Sequence, residues 1–389
     1  MTVLDRDGTD LVIRRRVRRL SATKPGGKRS GSFLALFSML VLLNIVGLVM
    51  ILSASTVTSL ENYGSPWYQF TRHLMWLAVG TTCFVISLRI DFHCWRDWTK
   101  YLLRGSLLLL ILVLVPGVGR TVNGASRWIG YGPVTVQPSE IAKLALLLYV
   151  ADLLARRSHR IGDTQLSLRP VLVVFFAIAA LVMLQPNLGT TIILFMIVFV
   201  MLFVAGVPGK HLALLAGTGA IGGALFAFTE DYRRRRLTAF ADPWADPLNT
   251  GYQTIQSSAA LANGGLVGTG IGQGRAKYGF LPEAHTDFIF SVLGEELGFI
   301  GALVLLAIFV AFGAFAIRVA LRAPDRFGML VAVGITTWFM FQALVNIGAA
   351  VGVLPTTGVP LPFVSFGGSS LVVNFFAAGI LLNIARHTS

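Results

Sequence analysis

Residues 33–55 read FLALFSMLVLLNIVGLVMILSAS, without one Asp, Glu, Lys or Arg. A hydrocarbon core about 30 Å thick is crossed by roughly 20 apolar residues in a helix, so this run is long enough to span a bilayer. Similar runs lie near 70–88, 101–118, 139–154, 170–184, 188–206, 211–228, 287–317, 328–350 and 367–385. They are continuous rather than alternating, which excludes a membrane β-barrel. The expected fold is an all-α polytopic bundle of about ten transmembrane helices. The whole composition agrees: of 389 residues 55% are hydrophobic and 13% charged, with mean hydropathy +0.73, whereas soluble domains are about 25% charged. A soluble globular enzyme is excluded.

The 32 Lys and Arg against 18 Asp and Glu give a net charge of +14. The basic residues sit between apolar runs rather than on a soluble face, so lipid head groups, not nucleic acid, are the expected partners. Their distribution sets the orientation, because basic residues in short loops stay in the cytoplasm. Arg14, Arg15, Arg16, Arg18, Arg19, Arg89, Arg96, Lys100, Arg156, Arg157, Arg160, Arg169, Lys210, Arg318, Arg322, Arg326 and Arg386 gather on one side. The other side holds few, mostly Arg233, Arg234, Arg235, Arg236, Arg275 and Lys277 in one large loop, 229–286. Both termini are therefore expected to be cytoplasmic and that loop, which precedes the eighth helix, extracellular. Residues 1–32 read as a disordered basic tail near anionic lipid, and 33–389 as one transmembrane domain. The run before Ser53-Ala54-Ser55 is too long for a cleaved signal peptide. Cys83 and Cys94 support neither a disulfide framework nor a zinc site.

Polar chemistry concentrates in the outward segments 56–69, 119–138, the turn Gln185-Pro186-Asn187, the loop 229–286, and 351–366. After Gln137-Pro138-Ser139, a helix-start pattern, Glu140 and Lys143 stand three apart on one helix face. They are either an internal ion pair or part of a cavity that accepts an anionic lipid group. Four consecutive arginines, 233–236, run against the charge rule on the outward side. Guanidinium forks suit a lipid pyrophosphate, although charge runs also simply face water. In Pro282-Glu283-Ala284-His285-Thr286-Asp287, Thr286 or Asp287 is expected to cap the next span. Asp287, with Glu283 and His285 a turn away, is equally placed to act as a base at the membrane boundary. Glu295 and Glu296 fall two turns deeper, where a carboxylate needs a partner or water.

Taken in order, Arg127-Trp128-Ile129, Gln137-Pro138-Ser139-Glu140, Gln185-Pro186-Asn187-Leu188-Gly189-Thr190, Gly251-Tyr252-Gln253, Leu281 through Phe288, and Gly368-Ser369-Ser370 resemble the SEDS family. The likeness runs from about 33 to 387. It implies a glycosyltransferase of the bacterial cytoplasmic membrane that polymerises lipid II into peptidoglycan strands. The implied partners are a class B penicillin-binding protein, other division-complex membrane proteins and membrane lipids. The wording around Asp287 and the basic tail look more like the division members, FtsW, at the septum than the elongation members, RodA. By resemblance the family's essential aspartate falls on Asp287, its loop arginine on Arg236 and its membrane lysine on Lys143, with Glu140, Glu283, His285, Arg127, Gln137 and Ser369 as further substrate-binding candidates. Asn187 stands where the family often has Asp, and Phe366 where Tyr is common. The first argues against metal at that turn. No firmly bound cofactor is implied, and Mg2+ or Mn2+ is left open.

The implied reaction needs a base for the attacking sugar hydroxyl and cations for the leaving pyrophosphate. Asp287 and Arg236 suit these tasks in a single inverting displacement. A helix N-terminus would lower the Asp287 pKa while desolvation would raise it. A lipid transporter and an idle scaffold are the rival readings. The first would place a wet path between repeats, and no repeat is apparent.

Overall fold

The computed structural model describes residues 31–122, 125–131, 134–229 and 231–388, so nearly all of the basic tail lies outside the described residues. Each expected apolar run lies on a helix. These are α1 (Gly31–Tyr63), α2 (Tyr68–Arg89), α3 (Cys94–Leu112), α4 (Pro138–Arg156), α5 (Arg169–Met183), α6 (Leu188–Ala205) and α7 (Gly209–Thr229). After the large loop follow α10 (Ile289–Leu321), α11 (Arg326–Ala350) and α12 (Gly368–Arg386). Among the described residues, six helices are long and apolar enough to cross a membrane: α1, α5 with the turn before it, α6, α10, α11 and α12. The third run, expected over 101–118, begins earlier, at Cys94, and ends at Leu112. Its first turns carry Arg96 and Lys100, which dilute hydropathy but hold helix well, and Asp97, which suits a helix N-terminus.

The connections between the long helices carry structure of their own. The chain is mostly helical, consistent with the polytopic all-α expectation, and 119–136 adds an antiparallel sheet of β1 (Gly119–Val122), β2 (Ala125–Tyr131) and β3 (Val134–Val136) in that order. β-Branched Thr121, Val122, Val134, Thr135 and Val136 favour it. The loop 229–286 is itself partly helical, with α8 (Asp231–Ala241) and α9 (Tyr252–Gly264). The segment 351–366 is not a surface loop: Val359, Leu361, Phe363 and Val364 are buried, and the chain passes so close to α1 that a Cβ on Gly47 would meet Phe363 O at 2.7 Å. Irregular backbone buried in this way needs partners inside the protein, and side chains of α11 supply them.

Packing centres on α4, α11 and α12. Leu146, Leu147 and Leu148 of α4 and Trp338 and Phe339 of α11 are fully buried. α12 lies against α2 so closely that a Cβ on Gly379 would fall 2.7 Å from Phe84 O. The end of the bundle away from the sheet is tied by charge. Arg96 and Arg156 both reach Asp152 Oδ1, at 2.6 and 2.7 Å. His93, between α2 and α3, contacts Asp91 Oδ1 through Nδ1 at 2.8 Å and Asp325 Oδ2, before α11, through Nε2 at 3.1 Å.

Hydrogen bonds to Asp325 and then Asp91 raise the His93 pKa from 6.5 to about 9, against a smaller opposing effect of burial. A histidine pKa raised by folding stabilises fully below its unfolded value, and that contribution fades as pH climbs through the folded value. Thermal stability in detergent should therefore fall between roughly pH 6.5 and 9. His93→Gln should flatten that slope; an identical slope in the variant would remove His93 as its source.

Candidate active site

The segment before α10 is wound into a compact turn. The amides of Thr286, Asp287 and Phe288 all donate to the Glu283 carbonyl, at 3.1, 3.1 and 3.3 Å. Thr286 Oγ1 donates to Glu283 Oε2 at 2.8 Å. The expected helix cap is therefore corrected: Phe288 stands at the N-cap position of α10 with no side-chain cap bond. Thr286 is occupied by Glu283, and the Asp287 carboxylate is left for other work.

Asp287 is fixed through its backbone. Asn346 Nδ2 of α11 donates to Asp287 O and to Val359 O, both at 2.8 Å. One amide thus holds the aspartate and the inserted segment together. Beside them is Gly358, where a Cβ would sit 3.7 Å from Asp287 Oδ2; its φ is +71°, a conformation favourable for glycine. His285 faces Phe366 edge-on with ring centroids 5.6 Å apart, and Phe366 N donates to His285 O at 3.0 Å.

Two guanidinium groups act on this carboxylate. Arg236, on α8, is half-buried and donates through Nη1 to Thr356 O at 3.0 Å. Arg127, on β2, donates through Nε to Gln185 O at 3.0 Å and through Nη2 to Pro186 O. Of the neighbouring arginines, Arg234 is exposed, and the side chains of Arg233 and Arg235 lie outside the described residues. Burial pushes the Asp287 pKa from 3.8 up to about 7, the Glu283 carboxylate adds to the rise, and Arg236 and then Arg127 oppose it. Desolvation therefore wins over the lowering effect that the two cations exert. Burial also lowers the His285 pKa, against the pull of Glu283.

Glu140 and Lys143 meet as the ion pair that their spacing on α4 allows, Nζ to Oε1 at 2.9 Å, both buried. Lys143 Nζ also donates to Gln342 Oε1 at 3.2 Å and lies 4.7 Å from the centre of the Trp338 ring. Gln342 in turn donates through Nε2 to Pro360 O at 2.8 Å. The pair is thus connected to the inserted segment just after Gly358. Gln137 N donates to Ser369 Oγ at 3.0 Å, joining the start of α4 to the first turn of α12.

Gln342 and Asn346 were not among the candidates. Their signal was present: two amides four residues apart within an apolar run share one helix face, and intramembrane polar groups mark functional ground. Lys277, expected in a water-exposed loop, is buried and paired with Glu296 at 3.3 Å. Among the described residues, no three His, Cys, Asp or Glu side chains gather in a way that could hold a metal ion.

A family model described as "Cell cycle protein", covering FtsW, RodA and SpoVE, matches residues 33–389. A probable peptidoglycan glycosyltransferase FtsW of Geobacter metallireducens is 42% identical over 352 residues, spanning 90% of this chain and 94% of that protein. The stage V sporulation protein E of Bacillus subtilis is 40% identical over 93% of this chain and 99% of its own length. A solved peptidoglycan synthase complex, described as coordinating polymerization and crosslinking, contains a chain 32% identical with a TM-score of 0.75, covering 91% of this chain and 97% of that one.

Proposed function

The chain belongs to the FtsW, RodA and SpoVE family of cell cycle proteins, and from that premise we propose how its residues polymerise lipid II as a peptidoglycan glycosyltransferase. The observation that carries the mechanism is Asp287, held by Asn346 through its backbone carbonyl, with its carboxyl pushed up to about 7 by burial against the pull of Arg236 and Arg127. A general base works best with a pKa near the operating pH. Asp287 takes the proton of a sugar hydroxyl as that oxygen attacks the anomeric carbon of a second lipid II. Undecaprenyl pyrophosphate leaves from the opposite face, so the α-linked donor becomes a β-linkage without a covalent enzyme intermediate. Arg236 and Arg127 neutralise the charge that develops on the pyrophosphate. Glu283, His285, Gln137 and Ser369 line the approach, and Glu140 and Lys143 brace the segment that faces Asp287. Among the described residues no three His, Cys, Asp or Glu side chains gather beside Asp287, and no step is assigned to a divalent cation.

The test is direct. Purified full-length protein in proteoliposomes, with its crosslinking partner and labelled lipid II, should yield glycan chains. Movement of lipid II across the vesicle membrane without polymer would instead make the protein a transporter.

Within this family we assign the chain to septal synthesis, beside a class B penicillin-binding protein and other division proteins. The support is the FtsW relatives, of which Tolumonas auensis supplies one at 45% identity. Residues 33–389 act as one domain in the cytoplasmic membrane, with both termini cytoplasmic and the sheet end outside. An impermeant thiol reagent should label Thr250→Cys in intact cells whose wall admits it, and leave Ser158→Cys unlabelled. The reverse pattern inverts the topology.

Arg236 is the loop arginine that matters. Lys offers a point charge in place of a planar fork, so Arg236→Lys should lose at least about tenfold in polymerisation rate, roughly 1.4 kcal/mol of transition-state binding. Arg234→Lys, at an exposed position, should lose little. Equal rates in the two variants would return the whole run to a solvated role.

A further inference from the structure

Glu295 and Glu296 lie in the second turn of α10, almost wholly buried at 1% exposure each, and the mechanism above does not use them. Both are occupied by the segment that runs from the end of α9 toward Asp287. Glu295 accepts the Arg275 amide at Oε1 and the Ala276 amide at Oε2, at 2.9 and 3.0 Å. Glu296 accepts the Gly272 amide at Oε2, at 3.0 Å, while its Oε1 takes Ser53 Oγ at 2.6 Å and Lys277 Nζ at 3.3 Å. Each of the four carboxylate oxygens has a donor.

The backbone of α10 joins the same contact. Gly298 leaves the helical conformation at φ +71°, ψ −171°, which exposes peptide groups on both sides of it. Thr269 N and Gly270 N donate to Glu295 O and Glu296 O, both at 3.0 Å, and Phe299 N and Ile300 N donate to Gly265 O and Leu266 O at 2.9 and 3.1 Å. Leu266, Val267 and Ile271 point outward, next to exposed Phe299 and Ile300 of α10. The glycine-rich chain therefore lies along a helix long and apolar enough to cross a membrane, and its peptide groups find their partners within the protein.

These bonds close a loop. Its base is Arg275, Ala276 and Lys277 on one strand and Glu295 and Glu296 on the other, and Asp287 lies on the arc between them. We infer that Glu295 and Glu296 are positioning residues for glycosyl transfer, clasping the base of the loop that presents Asp287. The inference rests on Asp287 being the base of the proposed reaction. Opening the clasp would free the chain upstream of Asp287 from α10 and admit more water to a carboxyl that is now only partly exposed. The charged and titratable groups that face it, Glu283, His285, Arg236 and Arg127, belong to other contacts and would remain.

Full-length Glu295→Ala in proteoliposomes with labelled lipid II tests this, alongside wild type and Asp287→Asn. Amides 268–276 should lose protection from hydrogen exchange while those of α11 keep it. The kcat should fall at least about tenfold with KM within about threefold, and the ascending limb of rate against pH should move to lower pH as Asp287 is hydrated. If this variant does not accumulate, the paired Lys277→Met, Glu296→Gln variant takes its place, since it removes both charges of a buried pair together and strands neither. An unchanged kcat, or a lower kcat with the limb where it was, overturns the positioning role. A wild-type protein that makes no glycan fails the proposed function instead, and the exchange measurement, which needs no substrate, still reports on the clasp.

Discussion

Asn in place of Asp287 should leave a protein that folds and reaches the membrane but has lost nearly all of its polymerisation. The substitution keeps the volume of the side chain, and the bonds that hold this position use backbone atoms: the amide on Glu283 O at 3.1 Å and the carbonyl under Asn346 at 2.8 Å. Because Phe288 rather than Asp287 occupies the N-cap position, a loss of activity cannot be ascribed to a lost cap. What Asn lacks is the basic oxygen. General-base catalysis contributes about 10²- to 10⁴-fold, so polymerisation should drop by at least about a hundredfold. In the wild type the same carboxyl must be ionised to act. With its pKa pushed up to about 7, kcat/KM should rise as pH passes through 7 and level off above it. Near-normal polymer from Asp287→Asn, or a rate flat across that interval, would sink the assignment.

The sequence carried the helices and part of the site, and the limits follow from physics. Spans are legible because lipid demands long apolar runs, and Glu140 with Lys143 because spacing on one helix predicts contact. What local periodicity does not contain is which remote segments meet. The descent of 359–366 beside Gly47 depends on a contact between segments more than 300 positions apart, so the segment reads simply as a polar connection. The same holds for Glu295 and Glu296, whose need for partners was visible but whose partners, Arg275 through Lys277 and Ser53, were not. Asp287 was legible as the base but also offered itself, with Thr286, as a helix cap, because Asp before a helix usually is one. The turn around the Glu283 carbonyl, with Glu283 itself at φ +57°, overrode that tendency. The sheet went unnoticed because its strands are short and sit between much stronger helical signals.

The two readings of Lys143 are now separable by comparing single and paired substitutions. Lys143 is 1% exposed, Glu140 3%, and among the described residues Glu140 Oε2 has no hydrogen-bond partner. The Glu140 carboxylate therefore leans on its contact with Lys143 at 2.9 Å. Lys143→Met alone strands a buried carboxylate, and breaking a buried pair in this way costs about 3–5 kcal/mol, enough to reduce the amount of folded protein sharply. The double variant Glu140→Leu with Lys143→Met removes both charges, and such replacements are often neutral or stabilising, so membrane levels should return to those of the wild type. Activity should not return with them. The double variant loses the ammonium that donates to Gln342 Oε1, and Gln342 holds Pro360 O of the segment facing Asp287. We expect polymerisation at least about tenfold below wild type, about 1.4 kcal/mol of transition-state stabilisation. Full activity in the well-folded double variant would make the pair a structural contact only. A single variant as stable as the double would show that the carboxylate at 140 never depended on the lysine.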